Sequence, residues 1–404
     1  MSLVTNIGAK VKLITNIKMK ILYYSKPCFG DCDFPLLKAM MEQGHDVKVI
    51  YNLTPYSLRT TIFNISKQIP KSGIFKAADY PELKAFGDYM PMDNVYISND
   101  PTGRFCLKSL WLEFKTFLFI RKQKFDVINY VEDPSPLFSF LLWFFRKKLV
   151  VTIHDGRPHT GDDNTKSQFV RRRLKSYVKR FLLLNKKENK LFEEGYGINP
   201  AYIYNSHLGY YEMLHMYGNK TVKKQNYILF FGRIAPYKGI EYLLKAMTIV
   251  HKAHPETRVI IAGKGEYNFK VEPYTQFDYI EFRNKFIELD ELADLIRGSQ
   301  FTVCPYTEAT QSGVVYSSFA LNTPVVATRV GGLPEMIDDG KTGILVPPCD
   351  AQSLSQAIMD LLDDSTKLSD LTNNIKRSAE NGNGSWTVIA KEYLDVYKKS
   401  DEYE

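Results

Sequence analysis

Short apolar runs alternate with amphipathic helical patterns along this chain, and the alternation starts twice. Residues 20–25 read as a buried strand, followed by a Pro/Gly/Cys loop at 27–33 and a helix over 34–43. Gly44, His45 and Asp46 turn the chain into a second strand over 47–51. A strand–helix–strand unit of this kind builds a parallel sheet. The pattern continues with a helix over 111–124, a strand over 126–130, a helix over 135–145 and a strand over 149–153. A long helix is predicted over 168–192, with Arg171, Arg172 and Arg173 on one side and Phe169, Leu174, Val178, Phe181 and Leu182 on the other. Residues 54–100 show weak periodicity and read as irregular structure with short elements.

The polar stretch from Asn219 to Asn226 then reads as a linker, and the rhythm restarts. Strands are predicted over 227–231, 258–262, 280–282, 301–304, 324–328 and 343–346. Helices fall at 240–253, 290–298, from Ser312-Gly313 onward, and at 334–337, 351–362 and 385–397. At 404 residues the chain exceeds one ordinary core. The fold class is therefore α/β, with two doubly wound parallel-sheet domains, 19–218 and 227–384, facing each other. Residues 219–226 link them, and a closing segment, 385–404, is expected to pack back on the first. Residues 1–18 carry three lysines and no long apolar core, so they are expected to lie outside the fold as a leader rather than a signal peptide.

Charge is unevenly divided. Residues 1–205 hold 32 Lys and Arg against 19 Asp and Glu, whereas 206–404 hold 21 against 26. An anionic partner for the first half, such as a membrane surface, is one explanation; a solvated basic face is the other. Nucleic acid fits poorly, because Arg171 to Arg173 lack interleaved aromatic platforms. The five cysteines are few and odd in number, which suits a reducing, cytoplasmic setting, with peripheral attachment to the inner face of the plasma membrane as an extension. The longest apolar run, 137–145, is too short to span a bilayer.

Gly232-Arg233-Ile234-Ala235-Pro236-Tyr237-Lys238-Gly239 places two permanent cations five residues apart in a glycine-flanked loop after the strand 227–231. Such a loop opens onto the crevice where open α/β sheets bind ligands. A planar guanidinium with a compact ammonium suits a diphosphate. A solvated surface turn would carry the same letters. A nucleotide-dependent oxidoreductase is disfavoured, since no Gly-x-Gly-x-x-Gly follows the strand 20–25 and Gly263-Lys264-Gly265 lacks a third glycine.

Taken together these stretches resemble the retaining GT-B glycosyltransferases of family four. The resemblance rests on Gly44-His45-Asp46-Val47, Thr152-Ile153-His154-Asp155, Gly232-Arg233…Lys238-Gly239, Ala262-Gly263-Lys264-Gly265, Pro305-Tyr306-Thr307-Glu308 and Thr323-Pro324…Gly331-Gly332…Glu335, in that order. It implies that Arg233 and Lys238 hold the donor diphosphate, helped by Gly232, Gly263, Gly265 and the helix start Gln311-Ser312-Gly313-Val314. It places His154 near the reacting sugar, Gly30 at the first loop, and Lys285 and Phe286 beside the nucleobase. Arg233, Lys238, His154 and Glu308 are then the catalytic candidates.

The family's Glu-x7-Glu motif is altered. Aligned on Thr323-Pro324, its second glutamate becomes Ser317 and its first falls on Ala309, one residue after Glu308. The resemblance implies same-face substitution with retention, no cofactor, no required metal, and a nucleotide-sugar donor, UDP favoured over GDP. It also implies a glycan or lipid-linked glycan acceptor, as in surface polysaccharide assembly. A catalytically impaired nucleotide-sugar binder or scaffold is the alternative.

Overall fold

The computed structural model describes residues 18–55, 69, 71–154, 156, 164–309 and 312–399, with the side chains of 164–167 left aside. The first lobe contains β1 (Lys20–Ser25), β2 (Asp46–Leu53), β3 (Gly73–Lys76), β4 (Val95–Asn99), β5 (Val127–Val131), β6 (Leu149–Ile153), β7 (Phe181–Leu183) and β8 (Ile203–Asn205). They lie in the order 3-4-2-1-5-6-7-8, parallel except where β3 runs against β4. The second lobe contains β9 (Tyr227–Phe231), β10 (Arg258–Ala262), β11 (Ile280–Arg283), β12 (Thr302–Cys304), β13 (Val325–Thr328) and β14 (Gly343–Val346). Their order is 11-10-9-12-13-14, all parallel.

Both sheets are clad by helices on two faces, which is why β5, β6, β9, β12 and β13 are buried at every residue. β1 sits between β2 and β5, and β9 between β10 and β12. Each lobe thus reverses its strand order beside its first strand, and the crevice for a ligand lies at the carboxyl ends there.

The predicted helix over 168–192 does not form. A helix runs over Asn164–Lys175, the chain turns, and Phe181–Leu183 becomes β7 beside β6, before a second helix at Asn189–Tyr196. Phe181 to Leu184 are apolar without a break and all buried, a pattern that suits a strand covered on both faces. The supposed basic side changes too: Arg171 is only 3% exposed, whereas Phe169 is 50% exposed. The expected loop at 27–33 is a 3-10 turn at Pro27–Phe29 leading into a helix, Gly30–Glu42. β3 and β4 occupy part of the stretch read as irregular, and a helix at Ser365–Asn381 was not anticipated.

The chain crosses between lobes near 206–217 rather than dangling as a free tether. Gly218 N donates to Asp290 Oδ1 at 2.8 Å, Asn219 N to Asp294 Oδ1 at 2.6 Å and Lys224 Nζ to Ser299 O at 2.6 Å, so 218–226 lies along the second lobe. The helix Trp386–Lys398 packs on the helix Gly30–Glu42 of the first lobe and buries Trp386, Tyr393 and Tyr397. Trp386 Nε1 donates to Tyr210 O at 2.8 Å, tying the two crossings together. Among the described residues no helix is long and apolar enough to cross a membrane.

Candidate active site

The carboxyl edges of the sheets approach each other. Lys187, after β7, reaches Gly331 O at 3.1 Å and Glu335 Oε1 at 3.1 Å, both after β13. Tyr211, on the segment where the chain crosses between lobes, packs beside the second lobe: its ring lies 3.2 Å from where a Cβ on Gly313 would sit and 5.8 Å from the Tyr316 ring.

In the second lobe the loop after β9 is fixed on both sides. Gly232 N donates to Ala262 O and Ile234 N to Lys264 O, each at 3.0 Å. A Cβ on Gly263 would lie 1.8 Å from Gly232 O, and one on Gly265 2.0 Å from Ile234 O, both at strongly positive φ. The contact between the two loops therefore requires these glycines. On the opposite side a Cβ on Gly239 would come within 1.9 Å of Pro305 O, and Thr307 N donates to Tyr237 O at 2.8 Å. Gly263→Ala is expected to destabilise the protein by on the order of 3 kcal/mol in a denaturant titration. Gly87→Ala, with open space around the new methyl, is expected to be nearly neutral.

This clamp sets Lys238. Its side chain is 8% exposed, and Nζ lies 3.7 Å from the centre of the Tyr306 ring and 5.1 Å from that of Tyr237. Among the described residues no carboxylate reaches it. Burial, with Arg233 adding to it, pulls the ammonium down to about 8. A ring face compensates a buried cation only in part. The Tyr306 hydroxyl is 3.1 Å from Ser312 Oγ, so the ring cannot swing away freely. Arg233, by contrast, is exposed and makes no ion pair among the described residues.

The helix Gly313–Ala320 begins beside this pair, with Ser312 as its buried N-cap. Val314 Cγ2 lies 3.4 Å from the position of a Cβ on Gly232, so the helix start and the cationic loop touch. Unpaired N–H groups and the helix dipole there favour an anion. Ser317 is 8% exposed within the same helix and supplies no carboxylate. Glu308 is exposed and lines a cavity of about 490 Å³ with Tyr237, Gly239, Tyr242 and Thr307. Lys285 is engaged by Glu291 at 2.9 Å, while Phe286 is 69% exposed beyond β11. Gln311 lies outside the described residues.

In the first lobe His154 directly follows β6. Its ring stacks on Phe29 at 4.1 Å, and its backbone N donates to Glu132 Oε1 at 2.6 Å. Burial, and then Lys26, hold its imidazole down to about 3, so it is neutral. Asp155 lies outside the described residues. Gly30 is the first residue of its helix with φ −56°, so it is not the loop glycine expected and its backbone needs no glycine.

Sequence reasoning missed the acidic pair behind His154. Glu132 follows β5 at φ 65°, an unusual backbone for a side-chain-bearing residue. Burial lifts its carboxyl to about 7, against the pull of Lys26 and Arg171. Arg171 Nε donates to both oxygens of Asp133, at 2.9 and 3.1 Å, and Nη1 to Gly156 O at 2.8 Å. Lys26, Asp133 and Ser135 line a cavity of about 320 Å³ at this switch point. The signal was available: two acids and a Pro-Ser-Pro follow a buried strand at its carboxyl end.

Residues 225–364 match the family described as glycosyl transferases group 1. The chain is similar to a glycosyltransferase of Methanocaldococcus jannaschii, 31% identical over 222 residues, which is 54% of this chain and 56% of that protein. It is also similar to the D-inositol 3-phosphate glycosyltransferase of Corynebacterium kroppenstedtii, 32% identical over 42% of this chain and 40% of that protein. The chain thus matches about half the length of these curated relatives, or less. Among solved structures it resembles Anabaena HepE in complex with UDP, with a TM-score of 0.62 at 16% identity over 93% of this chain and 99% of that one. The Thermosynechococcus elongatus sucrose-phosphate synthase follows, with a TM-score of 0.59 at 17% identity over 94% and 98%. This likeness is one of fold. The two facing parallel-sheet lobes have the GT-B fold, and residues 225–364 of the second lobe match the glycosyl transferases group 1 model.

Proposed function

We propose that this protein transfers a sugar from a nucleoside diphosphate donor to a glycan or lipid-linked glycan acceptor, with retention at the anomeric carbon. The observation that carries the reading is Lys238: a buried ammonium that meets no carboxylate among the described residues, beside an exposed Arg233 that makes no ion pair among them, at the switch point of the second sheet. A desolvated cation awaiting an anion is what a departing diphosphate needs, because charge develops on that group as the sugar leaves. Uridine is the favoured base, in line with the UDP and UDP-glucose held by HepE. Phe286, exposed beyond β11, would cover it. His154, kept neutral, would hydrogen-bond the sugar rather than attack it.

The acceptor would enter at the first-lobe cavity beside Lys26 and Asp133 and meet the donor from the face the diphosphate leaves. The departing phosphate then takes the acceptor proton. Ser317, in place of a ribose-binding carboxylate, favours a second reading in which the protein binds the donor but scarcely turns it over.

One set of measurements separates these readings. UDP and UDP-sugars are expected to raise the melting temperature, as any ligand of the native state does. Slow hydrolysis of the preferred donor is expected in wild type and absent in Arg233→Ala. Stabilisation without hydrolysis or transfer would support the second reading, and no stabilisation by any nucleotide sugar would dismiss both. An inverted anomeric centre in the product, read by NMR, would overturn retention.

A further inference from the structure

We infer that the outer aromatic face of the first lobe, built from the helix Leu107–Gln123 and the segment 136–148, docks on an anionic lipid bilayer. The helix carries two apolar stripes. Leu112, Thr116, Phe117 and Ile120 face the core and are buried. Leu107, Trp111, Phe114 and Leu118, spaced four, three and four apart, form the other stripe and are 84, 56, 38 and 44% exposed. A helix needs one such stripe to pack against its own sheet, so the second is unexplained by folding.

The adjoining segment extends it. Phe140, Trp143 and Phe144 are 43, 41 and 61% exposed. The exposed rings are joined through the buried Phe117: Trp111 to Phe114 at 5.7 Å, Phe114 to Phe117 at 6.2 Å, Phe117 to Phe144 at 5.6 Å and Trp143 to Phe144 at 5.3 Å. Contiguous exposed apolar surface of this kind marks an interaction site.

Charge selects the partner. Residues 105–124 and 136–148 hold eight lysines and arginines against a single glutamate, Glu113. Arg146 stacks on Trp143 at 4.1 Å, and Lys115 lies 5.5 Å from the Trp111 ring, so the cations rim the aromatic rings themselves. Tryptophan and phenylalanine among basic residues match the interface of an anionic membrane, where rings sit at headgroup level and ammonium groups meet phosphates. The orientation also serves access. Both helical segments begin at the carboxyl edge of the sheet, and Ser135, which caps the second, lines the 320 Å³ cavity. A bilayer on this face would lie beside the mouth of that cavity.

The inference does not depend on the transfer reading, since the test needs no donor. The full chain is to be sedimented with phosphatidylcholine vesicles, with and without phosphatidylglycerol. Binding to the anionic vesicles alone is expected, falling as salt is added. The triple variant Leu107→Ser, Trp111→Ser, Phe144→Ser should bind at least about tenfold more weakly at an unchanged melting temperature. Lys108→Glu with Lys115→Glu and Lys147→Glu should lose binding comparably, which keeps the test open if the first variant folds poorly. No binding to either vesicle would overturn the inference. So would equal binding by all variants, or a dimer in sedimentation velocity that the aromatic substitutions dissolve, because the face would then cover a second copy of the chain.

Discussion

Lys238→Met should lower kcat/KM by roughly 10²–10³-fold, the usual loss when one fixed donor to developing oxyanion charge is removed, while the protein becomes no less stable. The two halves of this expectation arise from one geometry. The ammonium is buried against Tyr306 with no carboxylate in reach among the described residues, so the folded state bears its desolvation. With the group held down to about 8 against an ordinary 10.5, that cost is on the order of 3 kcal/mol at neutral pH. Methionine keeps the length of the stem and removes the charge. A melting temperature unchanged or a few degrees higher, with activity lost, marks a group retained for chemistry; a large drop in stability would make Lys238 a structural residue.

The sign of the pH dependence follows. Between about 8 and 10.5 the unfolded chain holds a proton on Lys238 that the folded chain has released. Wild type should therefore gain stability relative to Lys238→Met across that window, because stability rises with pH wherever the unfolded state binds more protons. Donor affinity should move the opposite way, weakening above about pH 8 as the ammonium becomes neutral. Calorimetric titration of UDP across this range checks it, and a flat profile would remove Lys238 from the diphosphate.

Arg171→Met should destabilise the protein by about 3–5 kcal/mol, whereas Arg172→Ala should stay within about 0.5 kcal/mol. The neighbours differ in surroundings. Arg171 is 3% exposed, grips both oxygens of Asp133 and lies 3.8 Å from Glu132; Arg172 is exposed. Removing the guanidinium takes from the two acids behind His154 the cation that grips Asp133, leaving Lys26 to act on Glu132, which is already raised to about 7 and would take up a proton. Asp133→Asn placed on Arg171→Met should recover part of the loss. Equal, small effects in urea unfolding would show that Arg171 is not buried between these acids.

That pair also illustrates what letters carry and what they withhold. The second lobe was legible almost throughout, because most of its strands are short, largely apolar runs closed by a glycine, proline or polar turn, with Glu281 breaking the run in β11. Gly232, Gly263 and Gly239 were found through the family pattern, yet their physical requirement is the close approach of three loops, which no spacing reveals. In the first lobe three consecutive arginines looked like one basic face. Only the strand at Phe181–Leu183, inserted where periodicity suggested helix, turns Arg171 inward and leaves Phe169 outside. β3 and β4 lacked a signal because their neighbours in sequence are short 3-10 turns without a repeating pattern. Glu132 was hidden because a carboxylate after a strand is ordinary; burial and the positive φ make it unusual.

The stitching of the loops after β9, β10 and β12 has a mechanical consequence. With Gly232, Ile234 and Gly239 locked backbone to backbone against their neighbours, the second lobe's side of the crevice is cast in advance and has little slack of its own. Under the proposed function, adaptation to differently sized donors and acceptors would then be borne by whole-lobe rotation. Its natural axis passes through the two crossings at Tyr210 and Gly384, where the aromatic packing around Trp386 forms the bearing.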